Sequence, residues 1–95
     1  MNKGELVDAI ADVMAVKNIT ATKKVIESIL SATIDTIVDT VADGDRVVLV
    51  GFGRFEARQR KEREARNPRT GDKMVIPPTT VPVFSAGKVF KEKVN

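Results

Sequence analysis

Ninety-five residues with no cysteine and no histidine, 42% hydrophobic and carrying a formal net charge of +3, make room for one small domain. They exclude Cys/His zinc sites, a nucleophilic thiol and an imidazole base, so Ser28, Ser31 and Ser85 have nothing to activate them. No enzyme, metal site, cofactor or small-molecule substrate is expected.

No apolar run approaches the roughly 18 residues of a membrane span. The opening MNKGELVDAIAD lacks the apolar centre of a signal peptide. The chain therefore reads as soluble and cytoplasmic, with no membrane partner. Its charge is unevenly divided: residues 1–45 carry −4 and residues 46–95 carry +7, so a polyanion would bind the second half.

In chain order, Asn2 and Glu5 have the spacing of a capping box, and Leu6, Ile10, Val13 and Met14 recur at helical spacing. A helix from about Lys3 to Ala15 is predicted. After the polar connection VKNITAT, Thr20 or Thr22 caps a second helix. Its stripe runs through Ile26, Ile29, Leu30, Thr33, Ile34, Ile37, Val38 and Val41 and ends at Gly44. That stripe is too wide for one short partner helix, which points to a second protomer. RVVLV, Arg46 to Val50, reads as a strand, GFG as a turn or bulge, and RFEA as the strand resumed. Near the end, Ser85 is placed to cap a short helix over 85–95 with Val89, Phe90 and Val94 on its buried side.

The middle of the chain is ambiguous. EARQRKEREAR, Glu56 to Arg66, consists of good helix formers with i,i+4 pairs Arg58/Glu62 and Glu62/Arg66. Yet it leaves a strand without a cap and is answered by the β-prone KMVIPPTTVPVF, whose Pro77, Pro78 and Pro82 confine it to an edge. A protruding ribbon and a solvated helix both fit. Residues 57–73 hold only Ala57 and Ala65 from the hydrophobic set, leaving fewer than 80 residues to build a core. A domain that small and without disulfides is marginal, and oligomerisation is the first remedy.

Candidate functional residues cluster in this coreless segment. Arg54, Arg58, Arg60, Lys61, Arg63, Arg66, Arg69 and Lys73 exceed Glu56, Glu62, Glu64 and Asp72 by four charges. A solvated charged face is one reading and nucleic-acid binding the other. The six arginines suit insertion into a narrow groove or a fork on phosphate. GFG matches no phosphate loop, so it reads chiefly as a turn with Phe52 in the core. Phe52, Phe55, Phe84 and Phe90 flank apolar residues and are assigned to the core rather than to base stacking. NPRTG has the composition of a turn, with Asn67 first, Pro68 second and Gly71 closing it.

VGFGRFE followed by RNPRTG, together with MNKGELVDAIA, DKMVIP and VPVFSAGKVFKEKVN, strongly resembles the bacterial HU family, histone-like DNA-bending proteins related to integration host factor. The resemblance spans nearly the whole chain. It implies an α+β fold and an intertwined homodimer with a helical base (1–45), a small antiparallel sheet with a β-ribbon arm (46–84, the arm about 56–80) and a C-terminal helix (85–95). It implies double-stranded DNA as partner, gripped in the minor groove; because no residue set resembles a major-groove reading helix, weak sequence preference is expected, with bent, nicked or flexible DNA preferred. Arg54, Arg58, Arg60, Lys61, Arg63, Arg66, Asn67, Arg69, Thr70 and Lys73 would follow the arm's DNA face or tip, and Pro68 would intercalate. Lys3, Gly51, Gly53, Lys88 and Lys91 would contact DNA from the body. Ile34, Ile37, Leu49, Phe52, Phe55, Phe84 and Phe90 would form the dimer core. Three positions depart from the family's pattern: the connection between the first two helices is about five residues longer, Ala65 stands where glycine is usual, and IPP replaces IPA.

Overall fold

The computed structural model describes all residues, 1–95. Its elements are α1 (Lys3–Val16), α2 (Lys23–Ala42), β1 (Val47–Leu49), β2 (Gly53–Arg60), β3 (Arg63–Arg66), β4 (Lys73–Ile76), β5 (Thr79–Ala86) and α3 (Lys88–Val94). They form two compact units, Met1–Val38 and Asp39–Asn95. No helix is long and apolar enough to cross a membrane.

In the first unit, α1 starts with the expected capping box. Asn2 Oδ1 accepts from the Glu5 amide at 2.9 Å, and Glu5 Oε1 accepts from the Asn2 amide at 3.4 Å. The helix runs through Val16, and Asn18 takes a left-handed φ of 56° to turn the chain out of it. Between the two candidate caps of α2 it is Thr22 that acts, its Oγ1 accepting from the Val25 amide at 3.2 Å. Val7 and Ile26 are buried, whereas Ile29, Ile34 and Val38 of the α2 stripe are exposed.

In the second unit, Gly44 stops α2 at φ 89°, as its position implied. A three-stranded antiparallel sheet follows in the order β1-β2-β5, and a separate two-stranded sheet pairs β3 with β4. The β-rich reading of residues 56–66 is the one realised, because Glu56 to Arg60 pair along Val83 to Thr79 and Arg63 to Arg66 along Ile76 to Lys73. Nonlocal ladder bonds thus override a helical propensity of only tenths of a kcal/mol per residue. Lys61 and Glu62 on one side and Pro77 and Pro78 on the other lie outside the strands, and two consecutive residues without amide hydrogens account for that gap in the ladder. Pro82, opposite Ala57, is accommodated because β5 is an edge strand. Ala65 pairs with Met74 as an ordinary strand residue, so the glycine usual in the family is not needed for this ribbon geometry.

One expectation is corrected. Ser85 does not cap the last helix; it is paired in β5 opposite Arg54, and the cap of α3 is Gly87, which contributes no side-chain bond. The phenylalanines do form a cluster, with Phe52 5.1 Å from Phe84 and 5.5 Å from Phe90, and Phe55 4.8 Å from Phe84 between ring centroids. A single chain leaves them far from buried, however, with Phe52, Phe84 and Phe90 still 41%, 40% and 37% exposed. The only buried hydrophobic residues are Val7, Ile26 and Val41. The chain exposes 8013 Å², where a closed monomer of its mass would expose about 5,400 Å².

Candidate nucleic-acid interface

The end of the ribbon is built by its own short-range hydrogen bonds. Asn67 Oδ1 accepts from the Arg69 amide at 2.9 Å, and Thr70 Oγ1 accepts from the Asp72 amide at 3.3 Å. The Gly71 amide donates to the Asn67 carbonyl at 2.8 Å, and the Asn67 amide donates to the Asp72 carbonyl at 2.9 Å. Gly71 closes the turn at φ 73°, a region closed to most side chains. These bonds leave Pro68, Arg69 and Thr70 exposed at the tip while Asn67 is half-buried. An apolar ring with fixed φ thus sits at the far end of a polar arm.

Behind the tip, the strand register sorts the cations. Arg66 and Lys73 are direct cross-strand neighbours on one face, with Glu64 and Val75. Arg63 lies on the opposite face with Ala65, Met74 and Ile76. Within this ribbon, Arg66 and Lys73 thus stand on one face and Arg63 on the other. On β2, Arg58 and Arg60 share a face with Arg54 and Glu56, opposite Val81, Thr79, Ser85 and Val83.

The ion pairs divide just as sharply. Those present are Lys23–Asp8, Arg54–Glu56, Arg58–Glu56 and Lys88–Glu92. Arg60, Lys61, Arg63, Arg66, Arg69 and Lys73 make none, although Glu62, Glu64 and Asp72 are close in sequence. Arg66 facing Lys73 across the ladder is a like-charge pair, which destabilises a ribbon until an anion joins it. At the base of the arm, Glu56 Oε1 accepts from Arg58 Nη2 at 3.2 Å and from Arg54 Nε at 3.3 Å. The Arg58 hydrogen bond holds the Glu56 carboxyl below its ordinary value of 4.5; partial burial opposes this and Arg54 adds to the lowering.

Of the residues assigned to the body, Lys3 Nζ donates to Ser31 Oγ at 2.5 Å within the first unit. Lys88 reaches Glu92 at 3.9 Å, and Lys91 is exposed on the last turn of α3. Gly51 has φ 82° with open space beyond its Cα, while Gly53 is buried and a Cβ there would lie 2.5 Å from the Ser85 carbonyl oxygen and 2.6 Å from Phe84 Cε2. The second glycine of GFG is thus filled by its own sheet and ring cluster. Ile34 and Leu49 are exposed in the single chain, and Ile37 and Phe55 are half-buried. The sequence reading treated Glu56 only as a balancing charge. The period-two pattern Arg54, Glu56, Arg58 reveals its pairing once the segment is assigned to a strand, and a helical reading hides it.

The profile of the bacterial DNA-binding protein family matches residues 1–95. DNA-binding protein HU of Synechocystis is 60% identical over 99% of this chain and 95% of its own length. That of Nostoc is 57% identical over the same shares. An HU–DNA cocrystal structure from Anabaena superposes with a TM-score of 0.87 at 56% identity, covering 99% of this chain and 97% of that one. HU from Thermotoga maritima superposes at 0.67 with 33% identity over the whole of both chains. With its three helices, small antiparallel sheet and basic ribbon, the chain belongs to the HU family of bacterial DNA-binding proteins.

Proposed function

We propose that this chain is an architectural protein of the bacterial nucleoid that acts as a homodimer. It binds double-stranded DNA through the minor groove with little sequence preference and bends it. The observation that carries this reading is the set of six ribbon cations, Arg60, Lys61, Arg63, Arg66, Arg69 and Lys73, that pair with no carboxylate. The Anabaena relative was crystallised with DNA, which supports duplex DNA as the anion they meet. Dimerisation follows from burial. A chain with three buried hydrophobic residues and a ring cluster two-fifths exposed has not completed a core, and an obligate interface of about 2,000 Å² or more is what such chains use.

Energetics divide the labour within the arm. Unstacking a base step costs a few kcal/mol, and bending a site of 20–30 base pairs by 40–90° costs roughly 1–6 kcal/mol. The ring of Pro68 is too small to offset that. Phosphate contacts are stronger, each contributing a slope of about −0.9 to log K against log salt. Pro68 therefore sets where the kink forms, and the ribbon arginines with Lys3, Lys88 and Lys91 make the bend favourable. Gly51, Asn67 and Thr70 add polar groups at the backbone.

The test is a salt-titrated binding series with random-sequence duplex, intact and nicked, on a preparation of established oligomeric state. Salt-sensitive binding that tightens on the nicked duplex is expected, and Pro68→Ala should reduce bending and the nick preference while leaving the salt slope in place. No duplex binding at low salt overturns the reading. Binding that random DNA fails to compete overturns its lack of sequence preference.

A further inference from the structure

The charged residues at the base of the arm are arranged unlike those along it. Arg54, Glu56 and Arg58 alternate on one face of β2, so their side chains emerge on the same side of the sheet. One carboxylate oxygen, Glu56 Oε1, receives both guanidinium groups, from Nε of Arg54 and Nη2 of Arg58. The carboxylate is recessed, its side chain 19% exposed, whereas the two arginines are 49% and 53% exposed. Arg58 Nη2 has one further contact, Ser85 Oγ at 3.5 Å, at the limit of a hydrogen bond. Each guanidinium engages the carboxylate through a single nitrogen, and its fork geometry leaves donors for a second acceptor.

Two guanidiniums converging on one anionic oxygen have the donor set that a phosphate would receive. We propose that Glu56 is an internal stand-in for a DNA phosphate: it orders Arg54 and Arg58 in the free protein and yields them to a backbone phosphate in the complex. This rests on the DNA-bending reading above. Glu56 is then a positioning residue that also competes. Its recess lets it hold the arginines while their own side chains stay about half exposed. A phosphate that arrives must displace or share the bond and sits close to a like charge, so the carboxylate lowers affinity and removes positive charge from the contact surface. The free ribbon cations have no such competitor, so the arm and its base differ in kind. The tip is left frustrated until DNA arrives, while the base is satisfied beforehand and exchanges one anion for another.

The experiment compares the full-length parent, Glu56→Gln, Arg54→Ala/Arg58→Ala and the triple variant in duplex binding across a salt series. Glu64→Gln, which removes an exposed β3 carboxylate outside the triad, is the control for charge alone. Glutamine keeps the shape and an acceptor while losing the charge, and secondary structure and dimer state are checked on every variant. Glu56→Gln should bind more tightly at low salt and steepen the log K against log salt slope by about 0.9 per protomer, or about 1.8 per dimer. Across a fourfold rise in salt, that changes the ratio of variant to parent affinity by about 12-fold. The gain should exceed that of Glu64→Gln and vanish in the triple variant. Equal or weaker binding by Glu56→Gln, a gain matched by Glu64→Gln, or a gain that survives without the arginines overturns the proposal. A parent that fails to bind duplex at low salt instead removes the DNA-bending reading on which the proposal stands.

Discussion

Gly53→Ala isolates what the GFG turn contributes to the fold. A Cβ on Gly53 would come within 2.5 Å of the Ser85 carbonyl oxygen, 2.6 Å of Phe84 Cε2 and 2.8 Å of Phe84 Cζ. The first of these neighbours is backbone in the ladder that pairs Gly53 with Ala86 and Arg54 with Ser85. The ring is no easier to move, since Phe84 lies 5.1 Å from Phe52 and 4.8 Å from Phe55 between centroids. Overpacking of this kind costs about 1–3 kcal/mol, and holding a Cβ in a backbone region that only glycine occupies freely adds about 1–3 kcal/mol. The sum, about 2–6 kcal/mol, is a large part of the roughly 5–15 kcal/mol that stabilises a domain. Gly51→Ala is the internal comparison: its φ of 82° strains alanine, but nothing lies within 4 Å of the added carbon, so about 1–2 kcal/mol is expected. Denaturant unfolding of both variants and the parent, at one protein concentration because dimerisation links stability to concentration, gives the two values. Equal losses at the two glycines, or a loss below about 1 kcal/mol at Gly53, would refute the packing argument.

Further expectations follow from the charges and the ladder. Arg63→Ala should flatten the log-log salt slope of duplex binding by up to about 1.8 per dimer, as measured by titration at several salt concentrations; an unchanged slope removes Arg63 from the interface. Because the folded-state Glu56 carboxyl titrates below its ordinary value of 4.5, the stability it contributes is complete above that value and is lost as pH falls through the folded one. Acid unfolding of Glu56→Gln should therefore lack that part of the pH dependence, with the two proteins differing most above pH 5 and converging in stronger acid. Amide exchange followed by mass spectrometry or NMR should be faster in β3 and β4 than in β2 and β5, since four register pairs in a two-stranded ribbon lack the third strand that supports β2.

Much of this fold was legible because local signals agreed with nonlocal ones. Asn2 and Glu5 make the capping box their spacing announced, Thr22 caps α2, and Gly44 ends it. Asn67 to Gly71 make the turn their composition announced. Legibility failed where tertiary pairing decides. Ser85 has a cap's side chain, but the β5 ladder continues through it to Ala86 and moves the helix start to Lys88. Glu56 to Arg66 has helical propensity, but Lys73 to Ile76 and Thr79 to Val83 supply partners that no window around residue 60 contains. The four phenylalanines were legible as a cluster. Their exposure in the single chain was not, because one sequence signals it only through its shortage of core.

That shortage and the free charges of the arm have a common cause in the coreless segment. Residues 57–73 contribute almost nothing apolar, and Met74 and Val75 on the answering strand stay exposed, so burial does not hold the ribbon. A two-stranded ribbon of this size is marginal in water, and Arg66 opposite Lys73 weakens it further. Ordering each such residue costs about 1–2 kcal/mol of backbone entropy, which a solvated surface cannot return. In the proposed complex a polyanion would supply what is missing, because it would pair the six free cations and remove the cross-strand repulsion in the same step. On that proposal, binding and final ordering of the arm would be a single thermodynamic event, with part of the phosphate attraction spent on the protein. The base of the arm needs no such completion, since Glu56 already orders Arg54 and Arg58 there. If both proposals hold, strength of binding is set by what the tip gains and what the base gives up, and a charge added at one end is not equivalent to a charge added at the other.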